Sequence, residues 1–197
     1  MRITAERKNA TRRRILEAAI ELFRTRGFDA TTTRDLAAAA EIATGTVFNY
    51  FPTKEAIVAA LAEEGLAKAR ANSGLPADEA DLEEELFALV AAELRQLKPL
   101  RKFIMPLLET SFSPLTRSQQ SEAGDSLRTD HLEIVAGLAR NHGMAELSPV
   151  ALQVYWTLYT GALAFWAADK SPKQEDTLAL LDESLAMFVA WLRAGQS

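Results

Sequence analysis

Hydrophobic residues recur along the whole chain at the three- and four-residue spacing of amphipathic helices, and no stretch alternates as a β-strand would. The first helical pattern covers residues 12–26, and Gly27 follows it in a position suited to a left-handed stop. Thr32 and Asp35 then form a capping-box pair, which predicts the start of a second, short helix.

The third helical segment, residues 44–51, is about two turns long and carries small polar residues where a core helix would carry leucine. Its hydrophobic spacing predicts that Val47, Phe48 and Phe51 face inward. A helix, a short helix, a tight turn and another short helix make up the helix-turn-helix, whose last helix enters the major groove of DNA. Residues 32–51 are therefore predicted to form a DNA-binding motif.

The polar side chains of this motif suit contacts with bases and phosphates. Asparagine can pair with an adenine edge, hydroxyl groups can serve phosphates or bases, and glycine lets the backbone approach closely. The predicted DNA-binding residues are Thr33, Arg34, Thr44, Gly45, Thr46, Asn49, Tyr50 and Lys54. Thr44 has an alternative role as a helix cap, while Arg12, Arg13 and Arg14 form either a charged helix start or an arm for a minor groove.

Further helical patterns fill the rest of the chain after a fourth helix, which Thr53 caps. Ser148 and Ser171 each precede a proline, as at a capped helix start, and Gln174 is expected to complete a capping box with Ser171. The predicted ranges are Leu82–Leu97, Pro99–Phe112, Ser118–Asn141, Pro149–Ala168 and Pro172–Arg193. The prediction is an all-α fold of about nine helices, with a three-helix DNA-binding domain over residues 1–53 and a helical ligand-binding and dimerisation domain over 54–197.

The last two helices carry more apolar surface than one face against a core requires. The helix over 149–168 is apolar nearly all round, and the last helix has a second apolar face. A two-fold copy of the chain is the simplest partner for this surface, and a single large monomeric core is the alternative. The predicted dimer residues are Val154, Leu158, Phe165, Leu180, Met187 and Trp191.

Large side chains among the middle helices predict a cavity for a small apolar or aromatic effector, although any core needs similar residues. The candidates are Phe87, Phe103, Met105, Leu108, Phe112, His131, Tyr155, Trp156 and Tyr159. His131 lies near Asp130, Glu133 and His142 in sequence, but these residues lack the tight two-histidine spacing of a metal site. Neither a metal nor a cofactor is expected.

Composition narrows the class of protein. The 197 residues include no cysteine, which excludes disulfides and cysteine-based zinc sites. There is no apolar run of about 20 residues and no apolar signal-peptide core, so we expect a soluble cytoplasmic protein without a membrane span. Residues 1–54 hold ten Lys/Arg and six Asp/Glu, a net charge of +4 that leaves −9 for the rest of the chain. This asymmetry favours a DNA-binding module on an acidic body.

The stretch Arg12–Lys54 resembles the DNA-binding domain of the TetR family of bacterial transcriptional regulators. The matching pieces are ILEAAIELFRTRGFDATTTRDLA and GTVFNYFPTKEAIV, the second of which continues to Val58. The resemblance implies an all-helical homodimer that binds a palindromic operator on double-stranded DNA. It also implies that a small molecule in the C-terminal domain releases that DNA. The eight predicted DNA-binding residues occupy the DNA-facing positions of the family.

The chain departs from the family pattern at three positions of the motif. Ala43 stands where the family usually has Ser or Thr as a helix cap, and Glu41 stands where Gly is common in the turn. Phe48 replaces a common Tyr, which is expected to change little in a core position. Thr44 is the candidate to take over the missing cap.

Three functions are compatible with these features. A ligand-responsive dimeric repressor fits best, and an activator on the same scaffold differs only in where its operator lies. A helical enzyme or small-molecule carrier would need titratable residues that converge on one site, and the acids here are spread over solvent-facing positions. The sequence therefore predicts a regulator without enzymatic activity.

Overall fold

The computed structural model describes residues 5–72, 80–106, 108 and 122–195, and every regular element within these residues is helical. The eight α-helices described are α1 (Ala5–Arg26), α2 (Thr33–Ala39), α3 (Thr44–Tyr50), α4 (Lys54–Asn72), α5 (Leu82–Leu97), α6 (Glu122–Asn141), α7 (Pro149–Ala168) and α8 (Glu175–Ala194). A helix of the 3-10 type, Lys98–Phe103, follows α5, and a short one, Pro172–Gln174, precedes α8.

The predicted all-α fold class is confirmed, with a helix count close to that predicted. The domain boundary after residue 53 stays a prediction. α4 begins there, and its buried residues belong to one core that continues on both sides of the boundary. None of the described helices is long and apolar enough to span a membrane.

Local sequence signals set the ends of the first three helices. Gly27 takes a φ of 90° after α1, and Thr32 forms the predicted capping box with Asp35 at the start of α2. Glu41 adopts a left-handed φ of 54° in the turn before α3, a conformation that costs a non-glycine residue about 1–2 kcal/mol. Ala43 is the N-cap of α3 and offers no side-chain bond, so Thr44 does not replace the missing cap.

Buried apolar residues from α1 to α4 enclose the inner face of α3. Val47 and Phe51 are 1 % and 6 % exposed and belong to the same core as Ile15, Leu36 and Ile57. Burying each such side chain contributes about 1.5–3 kcal/mol. Tertiary packing therefore holds α3 in place, because its local start signals are weak.

Two polar clusters fix the junction between α7 and α8. Arg101 donates from Nε to the carbonyl of Trp166 at 2.8 Å and also donates to the carbonyl of Asp169, so the 3-10 helix after α5 is tied to the end of α7. The Asp169 carboxylate accepts the hydroxyl of Thr177 at 2.5 Å and the backbone N–H of Ser171 at 2.7 Å. These bonds, that of Thr177 above all, lower the pKa of Asp169 to about 2.

Several predicted helix ranges differ from the structure. The chain forms a 3-10 helix over Lys98–Phe103 instead of a regular helix from Pro99, and Phe112 and Ser118 lie outside the described residues. The predicted capping box at Ser171 is wrong. Gln174 takes a left-handed φ of 63°, and neither Ser171 nor Gln174 makes a side-chain capping hydrogen bond as the N-cap of its helix. α1 begins at Ala5, seven residues before the predicted start. Its first residues are polar, so the hydrophobic spacing did not reveal them as helical.

Candidate DNA-binding surface and effector cavity

The solvent-facing side of α3 presents three residues that are neighbours on one helical face. At 3.6 residues per turn, Gly45 lies in the middle of this face with Phe48 on one side and Asn49 on the other, and all three residues are exposed. Thr44, Thr46 and Tyr50 are half-buried at its margins. A Cβ atom on Gly45 would meet nothing within 4 Å, so the protein's own packing does not require glycine there.

Phe48 corrects an expectation from the sequence. It was expected in the core, but 53 % of its surface is exposed, while Val47 and Phe51 do face inward as predicted. The helical spacing accounts for this difference: a side chain next to Val47 is turned about 100° away from it, toward Gly45 and Asn49. The exposed ring adds an apolar group to a surface that is otherwise polar.

The arginines of α1 and α2 that were considered for DNA contact fall into two groups. Arg34 of α2 is exposed, as are Arg13 and Arg14 of α1, whereas Thr33 is half-buried at the start of α2. Arg12 instead pairs with Glu64 of α4 at 2.6 Å and stacks over the Phe51 ring at 5.7 Å. All three arginines lie within α1, so the alternative of an irregular arm does not hold for them.

Lys54 binds the protein itself. Its Nζ donates to the carbonyls of Phe28 at 2.7 Å and Thr31 at 3.0 Å, and it lies 4.5 Å from the centre of the Phe28 ring. Lys54 therefore fastens the start of α4, directly after α3, to the loop between α1 and α2. This geometry gives it a positioning role in addition to the phosphate contact predicted from sequence.

A buried polar network lies between α5, α6 and α7. Glu93 and His131 are 0 % and 1 % exposed, and the carboxylate Oε1 is 3.0 Å from the imidazole Nδ1. The other ring nitrogen lies 3.1 Å from the hydroxyl of Tyr155, and the ring stacks on that of Tyr159 at 4.1 Å. Burial, followed by the charge of Glu93, raises the pKa of both tyrosines well above 10.

Glu93 was missed in the sequence analysis, although a signal for it exists. It falls four residues after Leu89 and four before Leu97, on the inward face of α5, where an acid needs a partner. The second missed residue is Arg101, which lies between the buried Leu100 and Phe103. Its role is visible only in the structure, where it donates a hydrogen bond to a carbonyl at the end of α7.

A cavity of about 50 Å³ adjoins this network between α4, α6 and α7. Four of the nine predicted effector residues line it, namely Leu108, His131, Trp156 and Tyr159. The other four described candidates do not line it. Tyr155 contacts His131 through its hydroxyl, and Phe103 packs against Phe23 with ring centres 5.3 Å apart. Phe87 is half-buried, Met105 is 38 % exposed, and Phe112 is outside the described residues.

The two histidines do not converge on one site. His142 pairs with Glu85 at 3.1 Å, whereas His131 pairs with Glu93. Within residues 5–72, 80–106, 108 and 122–195, no three His, Cys, Asp or Glu side chains are grouped as metal ligands would be.

The predicted dimer residues lie on the outer faces of α7 and α8. Phe165, Met187 and Trp191 are 43 %, 61 % and 47 % exposed, Val154 and Leu180 are also exposed, and Leu158 is half-buried. On α7, Val154, Leu158, Gly161 and Phe165 follow one another at three- and four-residue spacing, and a Cβ on Gly161 would meet nothing within 4 Å. Leu158 packs against the core at the edge of this face, and the ring of Trp191 lies 6.1 Å from that of Phe188, while the remaining apolar surface of these residues faces outward.

Comparison with known proteins supports the resemblance seen in the sequence. The profile described as "Bacterial regulatory proteins, tetR family" matches residues 15–61, which run from the core of α1 through α3 into α4. The N-terminal helices therefore match the DNA-binding domain of TetR-family regulators, and the predicted family resemblance is confirmed.

Two similar proteins match almost the whole length of the chain. An uncharacterized HTH-type transcriptional regulator of Bacillus subtilis (strain 168), YvkB, is 27 % identical over 194 residues, which cover 93 % of this chain and 98 % of the relative. The crystal structure of Thermus thermophilus FadR, described as a TetR-family repressor in complex with lauroyl-CoA, is 26 % identical with a TM-score of 0.68, covering 90 % of this chain and 93 % of the other.

FadR from Bacillus subtilis in complex with stearoyl-CoA shares the fold, with a TM-score of 0.61 at 20 % identity, covering 90 % of this chain and 97 % of the other. The similarity therefore extends beyond the helix-turn-helix to the C-terminal helices.

The Lys54 contacts predict a measurable contribution to stability. Lys54→Met leaves the carbonyls of Phe28 and Thr31 without this donor, so the free energy of unfolding should fall by about 1–2 kcal/mol. Urea unfolding followed by circular dichroism measures the change. Lys68→Met, at an exposed position of the same helix, is the matched control and should change stability by less than about 0.5 kcal/mol. Equal effects of the two variants would rule out the positioning role.

Proposed function

We propose that this protein is a homodimeric repressor of the TetR family that binds a palindromic operator and leaves it when an apolar small molecule binds its C-terminal helices. The observation that carries the proposal is the division of α3 into two sides. Val47 and Phe51 are buried, while Gly45, Phe48 and Asn49 face solvent. A short helix with this division can lie in the major groove without disturbing the core that holds it.

The outer face of α3 supplies several kinds of base contact. Asn49 can bind an adenine through two hydrogen bonds, the hydroxyl of Thr46 can serve either a base or a phosphate, and the Phe48 ring can contact a thymine methyl group. Gly45 lets the helix backbone approach the bases. These groups would provide specificity, because phosphates carry no sequence information directly.

Backbone contacts would fix the position of α3 on the duplex. Arg34, together with the hydroxyls of Thr33, Thr44 and Tyr50, flanks the base-reading face. Lys54 holds the preceding loop close to α3 and can add its charge to the same phosphates. The positive net charge of residues 1–54 would attract DNA at long range.

The exposed apolar faces of α7 and α8 support a two-fold dimer. A protomer that exposes Phe165, Met187 and Trp191 together leaves a large apolar surface in water, and a second copy would cover it. Two copies of α3 would then read half-sites about 34–36 Å apart, or a multiple of that distance.

The segment after α5 connects the effector cavity to the DNA-binding helices. Ile104 and Leu108 line the cavity, and Phe103, directly before them, packs edge-on against Phe23 of α1. Arg101 of the same segment donates to the carbonyl of Trp166 in α7. A ligand that displaces Ile104 would therefore shift α1 relative to the dimer helices and change the separation of the two α3 helices.

The walls of the cavity favour an apolar effector. Leucines, Trp156 and Tyr159 predominate, with His131 and Thr160 as the polar groups. The two FadR proteins are crystallised with lauroyl-CoA and stearoyl-CoA, which supports a ligand with a long apolar part here as well. Because about 50 Å³ holds only one or two water molecules, the walls must move apart to admit such a ligand, and this movement is what would drive release.

The first experiment tests α3. Thr46→Ala combined with Asn49→Ala should weaken binding to a selected palindrome at least tenfold, because each lost base contact costs about 1–3 kcal/mol. Fluorescence anisotropy at fixed salt measures the loss, and thermal unfolding should stay nearly unchanged. Thr129→Ala with Asn141→Ala, two exposed positions on α6, is the matched control. Parental affinity in the α3 variant would show that another surface reads DNA.

The second experiment tests the dimer. Gly161→Glu places a charge in the middle of the apolar face of α7, where the protomer itself has space, so the protein should become a folded monomer. Light scattering after size exclusion measures the mass, and circular dichroism checks the helical content. Gly137→Glu on α6 is the control and should remain dimeric. A Gly161→Glu protein that keeps the dimer mass would place the interface elsewhere.

The third experiment tests release. Lauroyl-CoA and a set of apolar and aromatic compounds are titrated into the operator complex, and an effector should lower the DNA affinity about 5- to 150-fold. Leu127→Phe reduces the cavity and should blunt the response while the DNA affinity persists. Leu132→Phe, a half-buried position on the same helix that faces an outer groove, should respond like the parent. An unaltered response of the Leu127→Phe protein would exclude this cavity.

A further inference from the structure

A second, separate cleft lies between the end of α5 and the turn that joins α7 to α8. It has a volume of about 250 Å³ and contains three cationic side chains, Arg95, Lys98 and Lys173. No acidic residue lines it, although the chain outside residues 1–54 has a net charge of −9. All three cations are exposed, and none forms an ion pair in the described part of the chain.

The wide groove beside α6 also contains cations, but its charges are balanced, unlike those of the cleft. That groove is lined by Arg70, Arg128 and Arg140, but Asp130, Glu133 and Glu146 lie in the same walls and balance them. An anion would meet equal numbers of opposite charges there, whereas the cleft at Lys173 offers only positive ones.

A buried donor forms part of the wall of the same cleft. Trp166 is 0 % exposed, and among the described residues nothing accepts a hydrogen bond from its indole Nε1. Buried indole N–H groups usually have a partner, because leaving the donor unsatisfied is unfavourable. A ligand oxygen that displaced the atoms covering this N–H would supply the acceptor that the protein does not.

The backbone that places Lys173 in this wall is strained. Lys173 and its neighbour Gln174 have φ values of 53° and 63°, in the left-handed region that residues with side chains seldom occupy. Strain of this kind persists where the surrounding structure enforces it, as at ligand clamps. Both residues line the cleft together with Arg95 and Lys98.

We propose that this cleft binds a small molecule that carries a phosphate group. A phosphate carries close to two negative charges and several acceptor oxygens, which suits one guanidinium, two ammonium groups and an indole N–H. The side chains of Leu94 and Leu178 give the cleft an apolar wall, so an organic phosphate ester would fit better than the inorganic ion. This site is distinct from both the operator surface and the effector cavity.

Binding can be measured on the full-length protein without DNA. Phenyl phosphate, pyrophosphate and inorganic phosphate are titrated against sodium chloride of equal ionic strength, with acetate as the monoanionic control. The phosphates should raise the midpoint of thermal unfolding above the salt control, with phenyl phosphate the tightest and acetate without effect. Equal stabilisation by phosphates and by salt would overturn the proposal.

Variants locate the site. Arg95→Gln with Lys98→Gln should raise the dissociation constant for phenyl phosphate about tenfold or more, because two of the three charges are lost. Arg7→Gln with Lys8→Gln removes the same charge from the exposed start of α1 and should leave the affinity unchanged. If the α1 variant alone loses binding, the phosphate occupies the DNA-binding surface and the proposal is wrong.

The indole N–H provides a readout that charge screening alone would not move. In protein labelled with ¹⁵N-tryptophan, the three indole signals come from Trp156, Trp166 and Trp191, and Trp166→Phe assigns one of them. Phenyl phosphate should shift the Trp166 signal selectively as the N–H gains an acceptor. A titration that leaves this signal in place, or moves all three together, would contradict the assignment.

Discussion

The DNA-binding surface depends on one constraint: a helix of seven residues cannot hold itself together in water. Isolated helices shorter than about 12–15 residues are marginal, and α3 also lacks a side-chain cap and follows a residue in a left-handed conformation. Burial of Val47 and Phe51 must therefore supply its stability. Because these inner side chains hold the helix, its outer side chains are free to contact another molecule.

The contacts around α3 serve the same purpose from outside the core. Arg12 joins α1 to α4 through Glu64 and covers Phe51, and Lys54 ties α4 to the loop before α2. The exposed residues of α3 are thus carried on a frame of longer helices. Such a frame would place the proposed base-reading groups precisely, as recognition of a sequence requires.

The sequence predicted the fold class and the motif well because both depend on local signals. Gly27, the Thr32–Asp35 capping box and the Ser148 cap act within a few residues and were all confirmed. Phe48 was placed wrongly because hydrophobicity was given more weight than its angular position next to Val47.

The contacts between distant parts of the chain could not be predicted in this way. The pairing of Glu93 with His131, the bond from Arg101 to Trp166 and the cleft beneath Lys173 each join elements 38 or more residues apart. Their partners are set by how α5, α6 and α7 pack, and a periodic pattern does not encode that packing. The boundary of the helix after α5 was missed for a similar reason, since Arg101, within the 3-10 segment, bonds to carbonyls at the distant end of α7.

In the proposed complex, two copies of α3 lie in successive major grooves on one side of the operator. The chain has no cysteine, so Pro52→Cys, exposed directly after α3, can carry a single copper–phenanthroline group that cuts nearby DNA. Two clusters of cuts are expected, symmetric about the operator centre and separated by about 10–10.5 base pairs or a multiple of that spacing. A single cluster, uniform cutting, or the same pattern from a group on Thr129→Cys of α6 would contradict this arrangement.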